Sequence, residues 1–291
     1  MKKVLLLLLA VALVAPVFAR DVDAIVGVKW LKDNLAKSGL VIIDLRKVDD
    51  YKAGHIPGAV SVMGLYVPKN GLNNEVPEAD ELSDILSEAG IDAKSTVVVV
   101  EADGTARFAW ATRVAWTLVY AGVPNVTILD GGFAEWTKAG FETATGFESK
   151  DETEFKVTFN DKYIVTKDYL IKNMKKAQIL DTRTYDTYFG LVKQGFVDQF
   201  GHIPAAYALP SAWITKDGLV RPKAELEELL AAQKLTAKKE TFIHCDSGVL
   251  ATAWWWILTQ QMGWTNVRSY DGSAQEISKD PAVKFVKANW R

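Results

Sequence analysis

One half of this sequence repeats the other, and that repetition limits what the chain can fold into more than any single motif does. Val41-Ile42-Ile43-Asp44-Leu45-Arg46 returns as Gln178-Ile179-Leu180-Asp181-Thr182-Arg183. Gly54-His55-Ile56-Pro57-Gly58-Ala59 returns as Gly201-His202-Ile203-Pro204-Ala205-Ala206, and Asn125-Val126 with Asp130-Gly131 returns as Asn266-Val267 with Asp271-Gly272. Three matches in the same order make a tandem duplication, with small insertions accounting for uneven spacing. A length of 291 residues suits two domains, and ten tryptophans with 49% apolar residues are ample for two cores.

Each copy alternates short apolar runs with amphipathic stretches. The runs are Val41–Asp44, Val97–Val100 and Val126–Leu129 in the first copy, and Ile179–Asp181, Thr241–His244 and Val267–Tyr270 in the second. Stretches such as Glu81–Ala89 and Lys223–Gln233 have helical periodicity. Short apolar runs bounded by turn residues suit buried parallel strands, so the pattern predicts α/β sheets covered on both faces. Residues 20–145 form the first domain in this reading and 163–291 the second. The intervening 146–162, rich in charged and small residues, reads as a linker.

The chain opens with Lys2 and Lys3, an unbroken apolar run from Val4 to Val14, and then Pro16-Val17-Phe18-Ala19. This is the layout of a secretory signal peptide over residues 1–19, cut after Ala19. The run is short for a bilayer-spanning helix, so no membrane attachment is expected once the signal is removed. The expected destination is the periplasm or the medium. A formal net charge of −2 gives no basis for nucleic-acid binding.

The only cysteine, Cys245, directly follows the run Thr241–His244. In an open α/β sheet, ligands bind beyond the carboxyl ends of the strands. After it come Asp246, Ser247, Gly248, Val249, Leu250 and Ala251, leading into the helical run Ala251–Leu258. Strand, tight loop and helix form an anion cradle, in which backbone N–H groups and the helix N-terminus point at the occupant. Gly248 permits the backbone angles such a curl needs. The same dipoles favour a thiolate or a persulfide. Taken alone, the loop leaves two readings open: a reactive thiol, or a small apolar residue ending a core strand.

The paired D-x-R motifs, the G-H-I-P-G-A turn and the strand–C-x-S-G-V-x-A–helix segment resemble the rhodanese family, over nearly the whole chain after the signal. The resemblance implies an α/β fold of two tandem rhodanese-like domains, each a central parallel sheet flanked by helices. It implies an enzyme of the thiosulfate or 3-mercaptopyruvate sulfurtransferase type. Cys245 would carry sulfur as a persulfide between a small donor (thiosulfate, a mercapto-acid or a polysulfide) and a thiol or cyanide acceptor. The cradle residues Asp246 to Ala251 would hold the substrate. No cofactor is implied, and three scattered histidines with one cysteine do not make a zinc site. Aligning the strands sets Glu101 where the second copy has Cys245, so the first domain is the non-catalytic copy. A non-catalytic binding or sulfur-carrier module is the alternative function.

Several positions depart from the family pattern. Asp246 stands where mercaptopyruvate-type members have glycine, and Leu250 where they have threonine. A carboxylate at 246 either opposes a dianionic donor or is a solvated rim charge. The substrate-clamping arginine that tandem members place four residues after Arg183 is Thr187 here. Supporting candidates are Arg183, as a structural partner near the loop; Lys193, as a substitute cation; and Arg107, either lining the cleft or ion-paired at the surface. His55 and His202 recur in both copies and read as structural, and His244 points to the opposite face of its strand from Cys245. A cysteine phosphatase would need an arginine closing the loop, and none follows Cys245 before Arg268.

Overall fold

The computed structural model describes residues 20–288; the signal segment 1–19 lies outside the described residues. The first half runs β1 (Ile25–Val26), α1 (Val28–Asn34), β2 (Leu40–Asp44), α2 (Val48–Ala53), β3 (Ala59–Ser61), β4 (Val67–Lys69), β5 (Leu72–Glu75), α3 (Ala79–Glu88), β6 (Thr96–Val100), α4 (Phe108–Tyr120), β7 (Asn125–Leu129) and α5 (Gly132–Lys138). The second runs α6 (Lys167–Asn173), β8 (Gln178–Asp181), α7 (Tyr185–Tyr188), β9 (Tyr207–Ala208), a 3-10 turn (Ser211–Trp213), β10 (Thr215–Lys216), β11 (Leu219–Val220), α8 (Lys223–Ala232), β12 (Thr241–His244), α9 (Val249–Trp256), β13 (Val267–Ser269) and α10 (Ser273–Ile277). A π-helical turn, Ile257–Gln261, extends α9.

Each half has a parallel sheet. The order is β1-β7-β6-β2-β3 in the first and β13-β12-β8-β9 in the second. Every residue of β2, β6, β8 and β12 is buried, because helices cover both faces, and this is why the strands are continuous rather than alternating apolar runs. Segment 146–162 lies along the first half. Phe155 and Val157 are buried in its core, and Thr158 and Asn160 donate backbone N–H groups to the carbonyls of Ala121 and Tyr120.

The two halves share one core. Helices α4 and α9 pack against each other, with the Thr112 and Thr252 hydroxyls 3.1 Å apart. A single apolar cluster runs from Val97 and Trp116 of the first half to Ile243 and Trp255 of the second. The three consecutive tryptophans of α9 are all fully buried, each in its own direction. The Trp254 indole N–H donates to the Pro210 carbonyl, Trp255 to Val267, and Trp256 to Ala24 of the first half, at 3.1, 3.2 and 3.0 Å. Successive helix residues differ by about 100° in direction, so one triplet ties a loop, a sheet and the other half together.

Two hairpins cross between the halves. The β4–β5 hairpin of the first reaches the loop after β12, and the β10–β11 hairpin of the second reaches the loop after β6. Glu75, at the end of β5, meets Asp271 and Glu276 of the other half; burial, with the charge of Asp271, pushes its carboxyl up to about 8. The ordinary value is 4.5, so between 4.5 and about 8 the folded chain holds a proton that the unfolded chain has released, and stability falls as pH rises through that window. Glu75→Gln is expected to remove this dependence. Its thermal midpoint should exceed the parent's at the alkaline end of the window and converge with it at the acid end, as read by melting curves across pH.

Candidate active site

Strand β12 ends at His244, Cys245 follows, and α9 begins at Val249. Between them the chain curls over Gly248, whose φ of 83° lies in the left-handed region. A β-carbon at Gly248 would come within 2.5 Å of Asp271 Oδ1 and 2.9 Å of the Asp271 carbonyl, so the turn excludes any side chain. Cys245 is buried and free, and the N–H groups of Ala251, Ser247 and Leu250 face its sulfur. Two further N–H groups, of Cys245 and Gly248, donate to Ser273 Oγ at 3.2 and 3.1 Å. Ser273 in turn donates to the Tyr270 carbonyl at 2.8 Å. Five backbone donors are thus divided, three for the sulfur and two for the serine that holds the loop in shape.

Burial pushes the Cys245 thiol above its ordinary range, and the charge of Asp246 adds to this, while the three N–H groups oppose both. The resting sulfur is therefore a protonated thiol near neutral pH. Burial also lowers the pKa of His244, keeping it a neutral ring whose Nδ1 lies 3.2 Å from the Cys245 carbonyl oxygen.

Arg183 is buried beside the loop. Its Nε and Nη2 donate to the two Asp181 oxygens at 2.9 and 2.6 Å, Nη2 also donates to the Gly201 carbonyl at 2.8 Å, and Nη1 lies 3.3 Å from Asp246 Oδ1. Burial works against its charge, yet the hydrogen bonds and charge of Asp181, joined by Asp246, hold its pKa above the usual value. Asp246 is likewise raised by burial and held down by Arg183. Its carboxylate is a buried, paired group rather than a solvated rim charge.

The first half supplies the roof. Asn74, in the β4–β5 hairpin with φ of 61°, donates its side-chain N–H to Ser247 Oγ at 2.9 Å. The neighbouring Asn73 exchanges backbone hydrogen bonds with the Gln275 amide at 2.8 and 3.0 Å. Arg113, fully buried in α4, binds Asp271 and the Asn74 carbonyl.

A rhodanese-like domain model matches residues 27–139 and again 166–280. The chain belongs to the rhodanese-like family. It is 31% identical over 260 residues, 85% of each chain, to a Mycobacterium leprae protein named putative thiosulfate sulfurtransferase SseA. The crystal structure of Escherichia coli SseA, described as a 3-mercaptopyruvate sulfurtransferase, superposes with a TM-score of 0.77 at 26% identity, covering 87% of this chain and 99% of that one. A variant of EanB, solved with ergothioneine covalently linked to a cysteine persulfide, superposes with a TM-score of 0.78 at 25% identity, covering 92% of this chain and 71% of that one. The chain is accordingly a sulfurtransferase with two rhodanese-like domains.

Within this rhodanese-like pair, Thr187 is buried and its backbone N–H is capped by Thr184 Oγ1. Lys193 donates to the Val197 carbonyl at 2.5 Å and lies 5.5 Å from the centre of the Phe200 ring. Arg107 sits 3.8 Å from Glu101 in the first-half loop. Among the described residues, no hydrogen bond or ion pair joins Lys193 or Arg107 to residues 245–251. Both G-H-I-P histidines stack on a tyrosine, His55 on Tyr51 and His202 on Tyr188, and bond its carbonyl through Nδ1. No group of three or more metal-ligating side chains occurs among the described residues.

Two residues of the site escape a reading of the sequence. Asn74 lies in a hairpin that carries no motif. Ser273 left a signal: the repeat has Gly132 there, in the left-handed region with φ of 59°, and Ser273 adopts φ of 49° in spite of its side chain. Ser273→Gly restores the first-half residue and tests this. Losing the acceptor for two buried N–H groups costs the loop about 1–2 kcal/mol, a drop in sulfur transfer of roughly tenfold. Glycine relieves the backbone, so the thermal midpoint should stay close to the parent's.

Proposed function

We propose that the chain is exported and moves a sulfane sulfur through a persulfide on Cys245. The observation that carries this reading is the set of three N–H groups, from Ser247, Leu250 and Ala251, aimed at the sulfur at the start of α9. A persulfide has an anionic outer sulfur near neutral pH, and the cradle suits that anion better than it suits the resting thiol. In the first step Cys245 passes its proton to solvent and its sulfur attacks the outer sulfur of the donor. A new S–S bond forms and the donor's bond to that sulfur breaks, releasing sulfite from thiosulfate, a shortened polysulfide, or an enolate that takes up a proton from a mercapto-acid. In the second step an acceptor thiolate or cyanide attacks the outer sulfur, and Cys245 leaves as the thiolate. No external oxidant or reductant is needed.

The surroundings of the loop favour a donor that needs no cationic clamp. Arg183 spends its hydrogen bonds on Asp181, Gly201 and Asp246, and Thr187 fills the position of the family's second arginine. A polysulfide, which has no sulfonate or carboxylate group to be clamped, therefore fits this mouth better than thiosulfate or 3-mercaptopyruvate.

The test is the intact mass of the reduced protein after exposure to polysulfide, 3-mercaptopyruvate or thiosulfate. One added sulfur, removed by cyanide, is expected, fastest with polysulfide and absent in Cys245→Ser. Sulfuration without Cys245, or none in folded parent protein, overturns the mechanism. Because the thiol is held above its ordinary value of 9.0, the rate of the first step should climb with pH through neutrality without levelling off below that value.

Export rests on the residues of segment 1–19. The mature protein recovered from a cell envelope fraction is expected to begin at Arg20 by N-terminal analysis. An intact Met1 in that fraction would count against cleavage.

A further inference from the structure

The register of the sheets aligns the two loops residue by residue. Asp44 pairs with Val100 as Asp181 pairs with His244, so Glu101 corresponds to Cys245 and Ala102 to Asp246. The backbone agrees: Phe133 and Ala134 donate to the carbonyls of Glu101 and Ala102, as Ala274 and Gln275 donate to those of Cys245 and Asp246. Arg46 repeats Arg183, with Nε and Nη2 on Asp44 at 3.0 and 2.7 Å and Nη2 on the Gly54 carbonyl at 2.6 Å.

One contact is missing from the repeat. Arg183 extends Nη1 to the Asp246 carboxylate, whereas the residue facing Arg46 is Ala102, which has no carboxylate to offer. Among the described residues, Arg46 Nη1 has no hydrogen-bond partner, although Arg46 is only 8% exposed. It lines a cavity of about 290 Å³ at the carboxyl ends of β2 and β6, together with Met63, Tyr66, Glu101, Arg107 and the exposed, oppositely charged Lys47 and Asp50. The Phe133 ring lies 3.6 Å from the guanidinium carbon and fixes its plane. A buried cation with one edge turned into a cavity at the ligand-binding end of a sheet is a preformed anion site.

We propose that the first half binds a small organic carboxylate in this cavity, the ligand's carboxylate taking on Arg46 the place that Asp246 occupies on Arg183. Arg107, half-exposed on the cavity wall, is placed to share the charge. Glu101 does not oppose it strongly: one of its oxygens accepts the Ala102 N–H at 2.6 Å, and burial raises its pKa toward the neutral form. Met63 and Tyr66 supply an apolar wall for the ligand's carbon skeleton. The site is separate from Cys245 and does not depend on the persulfide mechanism.

Ala102→Asp tests the proposal by building into the first half the carboxylate that the second half already has. Binding of lactate and of succinate is measured by calorimetry on the parent, Ala102→Asp and Arg107→Gln proteins, with sulfate as the inorganic arm. Saturable binding of a carboxylate is expected in the parent. Affinity should fall about tenfold or more in Ala102→Asp, as one charge-assisted pair replaces another, and severalfold in Arg107→Gln. Sulfur transfer by Ala102→Asp should match the parent's. No saturable carboxylate binding in the parent, binding of sulfate alone, or parental affinity in either variant overturns the proposal. If Ala102→Asp fails to fold, as circular dichroism would show, the surface change Arg107→Gln decides.

Discussion

The packing of α4 against α9 is the contact on which the rest depends. It merges two small sheets into one body with a continuous core, and it gives the buried tryptophans of α9 their surroundings. Neither half could cover these helices alone. Once they are packed, the start of α9 is fixed relative to Arg113 and the β4–β5 hairpin, so the geometry of the cysteine loop is set from both sides of the molecule. The supports of the loop are distributed over a strand, a helix start, a serine and a neighbouring domain.

The same supports set the electrostatics of the loop. A thiol in this cradle is buried enough to stay protonated, and its neighbour Asp246 discourages a standing negative charge. In the mechanism proposed above, an added sulfur would move the charge outward, away from the cysteine's own sulfur. The three N–H groups, which do not overcome burial at the thiol, would then face an anion of larger reach. Pairing Asp246 with Arg183 keeps the carboxylate from facing the incoming donor as a bare charge, and it uses up the arginine that would otherwise bind one.

Much of this was legible in the sequence because duplication supplies an internal control. The strands at Val41–Asp44, Val97–Val100, Ile179–Asp181 and Thr241–His244 stand within a residue of those observed, since a strand buried on both faces writes itself as an apolar run. The family and the α/β fold followed from the paired motifs. What stayed hidden was set by contacts distant along the chain. Asn74 reaches Ser247, and Arg113 reaches Asp271, only because the helices pack. The meaning of Asp246 depended on the direction of Arg183's free edge, which no spacing rule reports. Lys193, chosen for its nearness in sequence, spends its charge within its own loop.

The crossed hairpins also bear on how such a chain comes to be assembled. The first half leaves the ribosome with α4 uncovered and with Gly104 waiting for Gly218, a close approach that admits no β-carbon. Its last contacts arrive only when the second half has been made. Neither half is complete without its neighbour, because each holds part of the other's loop. The duplication is thereby locked in: neither copy can be discarded without taking a wall from the other's loop.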